Sequence, residues 1–253
     1  MQLYNGDCLE ILKDIPDKSI DLILTDPPYG TTQCKWDSII PFEKMWPELE
    51  RIIKDNGAIV LFGSEPFSSA LRMSNINNYR YDWYWNKKKG NGFQYSHKQP
   101  LRQIETISVF YKTSCKYDYK GEKLQIPVVH NYPIVKSDSC FVRNKNLNKD
   151  GSRIYKTYEY KTKTNLLDFS RDSNKLHPTQ KPIALLEYLI KTYTDENEII
   201  LDFTMGSGST GVAAININRD FIGIELDKSY FEIAQKRIKE AEIKKEFLQG
   251  ELF

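Results

Sequence analysis

Short, continuous apolar runs alternate along this chain with stretches whose apolar residues recur at helical spacing. Runs such as Leu22-Ile-Leu24 and Ala58-Ile-Val-Leu-Phe62 leave no polar face, which suits strands buried on both sides. The first unit reads as a strand at Leu3-Tyr4, the turn Asn5-Gly6-Asp7, a helix from Leu9 to Ile15 and a strand from Leu22 to Leu24. A helix from Pro41 to Lys54 leads to the strand Ala58 to Phe62, a short helix from Phe67 to Met73, and strands at Arg80 to Trp85 and Glu105 to Tyr111. Further on, Pro182 suits the first turn of a helix whose Ile183, Leu186, Leu189, Ile190 and Tyr193 share one face. The last unit is the strand Ile199 to Leu201, a glycine loop, a helix from Thr210 to Ile217, the strand Phe221 to Ile224 and an amphipathic helix from Lys228 to Ile243. Strands and helices in alternation predict an α/β domain with a parallel sheet covered by helices.

Residues 113 to 175 lose this rhythm. They are rich in Lys, Asn, Ser and Tyr and too long for an ordinary loop, so they read as an inserted region between residues 1–112 and 176–253. Charge follows a related division. The net charge of +2 conceals 20 Lys and Arg against 9 Asp and Glu between residues 80 and 175, and 16 against 25 elsewhere. The basic middle also interleaves aromatics with cations, as in Trp83-Tyr84-Trp85-Asn86-Lys87-Lys88-Lys89, a composition suited to phosphate neutralisation beside base stacking. Lys87, Lys88, Lys89, Lys98 and Arg102 are the candidate phosphate contacts.

Four cysteines lie without a C-x-x-C pair, and the three histidines are equally dispersed. Neither structural zinc nor a disulfide framework is expected, and a reducing cytoplasm suits the pattern. No stretch approaches the ~20 apolar residues that cross a bilayer, so no membrane partner is expected.

Two segments carry candidate chemistry. Asp26-Pro27-Pro28-Tyr29 directly follows the run Asp21-Leu-Ile-Leu-Thr25. Each proline fixes φ and offers a carbonyl without an N–H, so the turn accepts hydrogen bonds and scarcely donates them. Asp26 and a neighbouring carbonyl suit the two N–H donors of an amino group on a planar heterocycle, with Tyr29 stacking on the ring. The alternative is an ordinary surface turn, since Asp-Pro commonly opens one.

Gly206-Ser-Gly208-Ser-Thr-Gly211 follows a strand, opens a helix and precedes a second strand ending in Glu225. This spacing satisfies a dinucleotide-binding fingerprint, so a nicotinamide dehydrogenase is a rival reading. Against it, Asp202 beside the loop would face a pyrophosphate with like charge, and only 28 residues follow Glu225 for a second mononucleotide half. S-adenosylmethionine meets both objections, being free of phosphate and cationic near its reactive methyl.

Taken together the motifs resemble the amino-group DNA methyltransferases of bacteria and phages, in the β arrangement that places the catalytic turn before the recognition region and the cofactor loop last. Asp26-Pro-Pro-Tyr29 resembles the catalytic motif, and Asp202-Phe-Thr-Met-Gly-Ser-Gly208 the cofactor motif. Asn5-Gly-Asp-Cys8, Phe62-Gly-Ser-Glu-Pro-Phe67, Trp85-Asn86-Lys87, His177-Pro-Thr-Gln-Lys-Pro182 and Gly223-Ile-Glu-Leu-Asp227 also match. Phe203 stands where the family usually has proline, and Ser209-Thr210 where it has a Thr-Thr pair.

The resemblance implies a Rossmann-like fold: a seven-stranded, mostly parallel sheet with helices on both faces, circularly permuted, its last N-terminal strand antiparallel and residues 113–175 an inserted target-recognition region. It implies that Asp26 and the Pro27 carbonyl hold the target amine, with Pro28 completing the turn and Tyr29 stacking on an extruded base. Asp7 would reach the cofactor adenine, Asp202, Phe203 and Gly206 would line the methionine end, and Cys8, Thr204 and Gly208 are further cofactor-binding candidates. Glu225 would bind ribose hydroxyls, and Thr179, Gln180 and Lys181 close the site; His177 reads as a packing residue. The expected partner is double-stranded DNA, with RNA and a homodimer left open. Asp at the head of the turn points to adenine N6, with cytosine N4 as the alternative and a non-catalytic nucleic-acid binder a more distant one. No Pro-Cys dipeptide exists to serve chemistry at a cytosine carbon.

Overall fold

The computed structural model describes residues 1–30, 38–131, 155–172 and 180–250. The chain divides into two units, Met1–Asp118 with Asn165–Phe253, and Tyr119–Thr164. The boundaries of the smaller unit fall inside the 113–175 stretch in which the sequence rhythm fails.

The larger unit is built on an eight-stranded sheet. Its strands are β1 (Gln2–Asn5), β2 (Ile20–Thr25), β3 (Ile53–Gly63), β4 (Tyr79–Asn91), β5 (Arg102–Phe110), β8 (Leu166–Asp168), β9 (Ile199–Asp202) and β10 (Asp220–Glu225), in the spatial order β1-β10-β9-β2-β3-β5-β4-β8. Every neighbouring pair is parallel except the two made by β5, the last strand before the insertion. The expected seven strands become eight because Leu166–Asp168 returns from the irregular stretch and pairs with β4, burying Leu167 opposite Trp85. Three residues with one buried side chain leave too little periodicity to read as a strand.

Alternation along the strands feeds two cores. Leu22, Leu24, Val60, Phe62, Trp83 and Trp85 pack on one face with helices α4 (Ile183–Tyr193), α5 (Ser209–Asn216) and α6 (Lys228–Gly250). Ile23, Ile59, Leu61, Phe110 and Leu201 pack on the other with α2 (Phe42–Ile52), α3 (Phe67–Ser74) and the short α1 (Cys8–Ile11) region. Of the face predicted for α4, Leu186, Leu189, Ile190 and Tyr193 are buried and Ile183 is half-buried against the core. None of the described helices is long and apolar enough to cross a membrane.

The smaller unit contains an antiparallel pair, β6 (Lys120–Asn131) and β7 (Tyr155–Thr162), whose register shifts twice. Ile126, Val128 and Val129 are exposed on it, and Lys120 Nζ lies 5.4 Å from the Tyr160 ring centre.

Candidate active site

The sheet order reverses direction between β9 and β2: from β9 the chain of neighbours runs to β10 and β1, and from β2 to β3. Ligands in open α/β sheets bind outside the carboxyl ends of the strands at such a point. Leu22 stands opposite Ile200 and Ile23 opposite Leu201, so the turn after β2 and the loop after β9 emerge side by side although they are far apart in sequence. A cavity of about 510 Å3 opens there, within the size range of small-ligand sites. Asp7, Cys8, Asp26, Pro27, Pro28, Tyr29, Gln180, Lys181, Asp202, Phe203, Thr204, Gly206 and Glu225 all line it. Gly208 does not line the cavity. It sits at φ +78 as the N-cap of α5, and a Cβ there would stand 2.9 Å from that of Ala234, so glycine is needed for the left-handed turn and for packing on α6. Thr179 and His177 lie outside the described residues.

The loop side of the cavity is acidic. Asp202 is buried and accepts from the Thr25 hydroxyl at 2.5 Å and the Thr204 amide at 3.2 Å, with Thr210 as a further donor. Burial outweighs these donors and pushes its pKa up to about 6. Glu225, at the end of β10, accepts from the Gly206 amide on Oε2 and the Asp227 amide on Oε1, both at 2.8 Å. These bonds fix the carboxylate while leaving lone pairs on both oxygens for a ligand. Its pKa is also raised by burial. Gly206 has φ +52 and nothing within 4 Å of where a Cβ would stand, so the bare backbone forms that wall of the cavity. Two carboxylates around an open glycine wall fit the cationic end and ribose hydroxyls of S-adenosylmethionine. Asp7 caps α1 through the Leu9 amide at 2.8 Å, combining its turn role with a place in the cavity wall. Burial pushes the neighbouring Cys8 thiol up to about 12, which leaves it no nucleophilic thiolate.

The turn side is built on a chain of charges in which Lys87 and Lys181 are buried and Asp26 and Glu105 are half-buried. Asp26 Oδ1 accepts from the Tyr29 hydroxyl and Oδ2 from the Lys181 ammonium. Burial lifts the Asp26 carboxyl above its ordinary value, against the pull of Lys181. Lys181 loses hydration on burial, yet Asp26 and Glu105 together hold it charged and raise its pKa. Glu105 Oε2 is 3.6 Å from Lys181 Nζ, and Glu105 Oε1 accepts from Lys87 Nζ at 2.9 Å. Despite its own burial, these two cations hold the Glu105 carboxyl below its usual range. The Thr204 hydroxyl reaches the Asp26 carbonyl at 3.2 Å and the Thr25 hydroxyl at 2.6 Å, tying the turn to the cofactor loop. Tyr29 packs against Phe67 with ring centres 5.0 Å apart.

Lys87 therefore leaves the set of candidate phosphate contacts. It is only 4% exposed, because β4 alternates and Trp83, Trp85 and Lys87 point to the same interior face. Lys88, Lys89, Lys98 and Arg102 are exposed. Strand alternation was the signal that could have placed Lys87, and equally Glu105, which shares a face of β5 with Ile107 and Val109. Arg237 was also unforeseen: from α6 it donates to the Ser207 carbonyl at 2.5 Å and the Ser209 hydroxyl at 3.2 Å, clamping the glycine loop. Among the described residues no group of His, Cys, Asp and Glu is arranged to hold a metal.

A family model described as DNA methylase matches residues 20–236, spanning both the turn and the loop. The chain belongs to the DNA methylase family. This methylase is 27% identical to the type II methyltransferase M.HpaI of Haemophilus parainfluenzae over 94% of its own length and 74% of the relative's. It is 28% identical to the DNA adenine methyltransferase YhdJ of Escherichia coli K12, over 93% and 82% of the two chains. Among solved structures, M1.HpyAVI in complex with SAM superposes with a TM-score of 0.61 at 28% identity, covering 94% of this chain and 98% of the other. The cytosine-N4-specific PvuII methyltransferase has a TM-score of 0.64 at 18% identity, covering 96% and 91%, and shares the fold alone.

Proposed function

We propose that this methylase transfers the methyl group of S-adenosylmethionine to the exocyclic N6 of an adenine in double-stranded DNA. The observation that carries the reading is the convergence of Asp26, Asp202 and Glu225 on one cavity. Asp202 and Gly206 would hold the methionine end, Glu225 the ribose hydroxyls, and Asp7 and Cys8 the adenine side. Bound there, the cofactor supplies a methyl group on a cationic sulfur. An amine at a base edge is inaccessible inside a duplex, so the nucleotide must swing out of the stack to reach the cavity. Asp26 and the Pro27 carbonyl then accept its two N–H groups and concentrate electron density on nitrogen, while Tyr29 faces the ring. Orientation and preorganised electrostatics account for the rate, with no covalent enzyme intermediate. Adenine is favoured by Asp at the head of the turn and by the adenine-specific relative.

We assign target recognition to the inserted region, residues 113–175. Its separate β6–β7 pair, with exposed Ile126, Val128 and Val129, supports the assignment.

The test pairs a tritium-transfer assay on mixed genomic DNA with calorimetry of cofactor binding. Asp26→Ala should abolish transfer and leave S-adenosylmethionine binding within a few-fold. Wild-type turnover by that variant would remove Asp26 from the chemistry, and binding of NADH in place of S-adenosylmethionine would overturn the reading as a whole.

A further inference from the structure

Asp26 already accepts one bond on each oxygen, from a hydroxyl and from an ammonium. A carboxylate committed to an ammonium is a weakened acceptor for a neutral amine, because the cation draws on the same electron density. The acceptor role assigned above therefore needs that cation to go elsewhere at the moment the base arrives.

A second anion is within its reach. Glu105 Oε2 is 3.6 Å from Lys181 Nζ, and among the described residues it is the buried side-chain polar atom without a hydrogen-bond partner. A buried carboxylate oxygen that has an ion-pair neighbour but no hydrogen bond calls for an explanation. Glu105 cannot readily turn away, because Lys87 Nζ holds its other oxygen at 2.9 Å. Lys181 Nζ also rides 5.0 Å from the centre of the Phe62 ring, whose face attracts a cation without fixing its direction. Two anions, Asp26 and Glu105, and two cations, Lys181 and Lys87, balance in the cluster whichever carboxylate Lys181 occupies.

We propose that Lys181 is a sliding counter-cation, resting on Asp26 in the unoccupied enzyme and moving to Glu105 Oε2 when the target amine enters, so that Asp26 Oδ2 is freed to accept the amine. No proton or covalent bond moves in this step. Glu105 and Lys87 are positioning residues: Glu105 provides the second berth and Lys87 keeps it aimed. The inference rests on the reading of Asp26 as the amine acceptor.

Three variants test it in single-turnover methyl transfer, with cofactor affinity and thermal unfolding measured alongside. Glu105→Gln removes the berth and should slow transfer by about ten- to a hundredfold, the span for groups that orient the reacting shell, with cofactor affinity little changed. Glu105→Gln with Lys87→Met restores charge balance, so it should unfold near the wild-type temperature yet stay slow, because Lys181 still has nowhere to go. Glu105→Gln with Lys181→Met is also balanced and leaves Asp26 uncommitted, so it should be at least tenfold faster than the other double variant. A Lys87→Met double variant at the wild-type rate would show that Glu105 merely neutralises Lys87. A Lys181→Met double variant no faster than its counterpart would show that Lys181 belongs on Asp26 throughout. If Glu105→Gln alone fails to fold, the two balanced variants still decide. Normal transfer by Asp26→Ala would instead defeat the acceptor reading beneath this inference, so the two failures are distinguishable.

Discussion

At the scale of single residues, Asp202 gives the site a pH dependence of definite sign. Its folded pKa of about 6 lies above the ordinary carboxylate value, so the unliganded fold loses stability as pH rises from ~4 through about 6. A cationic ligand favours the ionised form. Affinity for S-adenosylmethionine should therefore rise between pH 5 and pH 7 with proton release on binding, measurable by calorimetry in buffers of different ionisation enthalpy; a flat profile would place the sulfonium away from Asp202. Glu225→Ala should weaken cofactor binding by ~1.5–3 kcal/mol, the range for hydrogen bonds to a charged group, and appear as a raised cofactor KM. Asp26, Asp202 and Glu225 were legible because each is a carboxylate ending an apolar run, which is a rare place for a charge. The partners of Thr25 and Glu105 were not, although alternation turns Glu105 inward. Each looks like an ordinary residue of a strand, and only the neighbouring strand reveals what its side chain meets.

At the scale of elements, β4 shows how composition can mislead where periodicity would not. Lys87, Lys88 and Lys89 read as one basic cluster, but a period of two sends Lys87 into the core beside Trp85 while Lys88 and Lys89 stay exposed. Opposite behaviour is expected of the two kinds of lysine. Lys88→Gln with Lys89→Gln should weaken binding to all DNA sequences alike and flatten the log–log salt dependence by about 0.9 per lost phosphate contact. Lys87→Gln should leave that slope alone and lower stability by ~3–5 kcal/mol, the cost of breaking a buried ion pair from one side. Binding isotherms at several salt concentrations and urea unfolding separate the two cases. The helices were read more faithfully than the strand ends, since α2 and α4 each present an apolar stripe long enough to define a face.

At the scale of the molecule, the alternation of strands and helices predicted the parallel sheet, and β5 is antiparallel as the family resemblance implied. The eighth strand was hidden because its partner, not its own sequence, makes it a strand. Replacing residues within 119–164 should change which sites are methylated and leave the cofactor dissociation constant as it was, with a methylome for each variant as the readout; an unchanged site preference would move recognition elsewhere. The eighth strand bears on how such replacements are tolerated. Before the insertion the main unit holds the chain by the Lys116 amide on the Asn56 carbonyl at 2.9 Å and the Asp118 amide on the Thr192 carbonyl at 2.8 Å. After it, the Tyr84 amide takes the Asn165 carbonyl at 2.7 Å, β8 zips along β4, and the Trp85 indole takes the Phe169 carbonyl at 2.8 Å. The returning chain thus covers part of an edge that would otherwise invite pairing with other chains. Under the proposed assignment of recognition to this insert, a cassette whose two ends are each fastened to the frame can be traded, lengthened or shortened without loosening the rest, and a lineage of such enzymes is free to acquire new addresses on DNA while keeping one way of marking them.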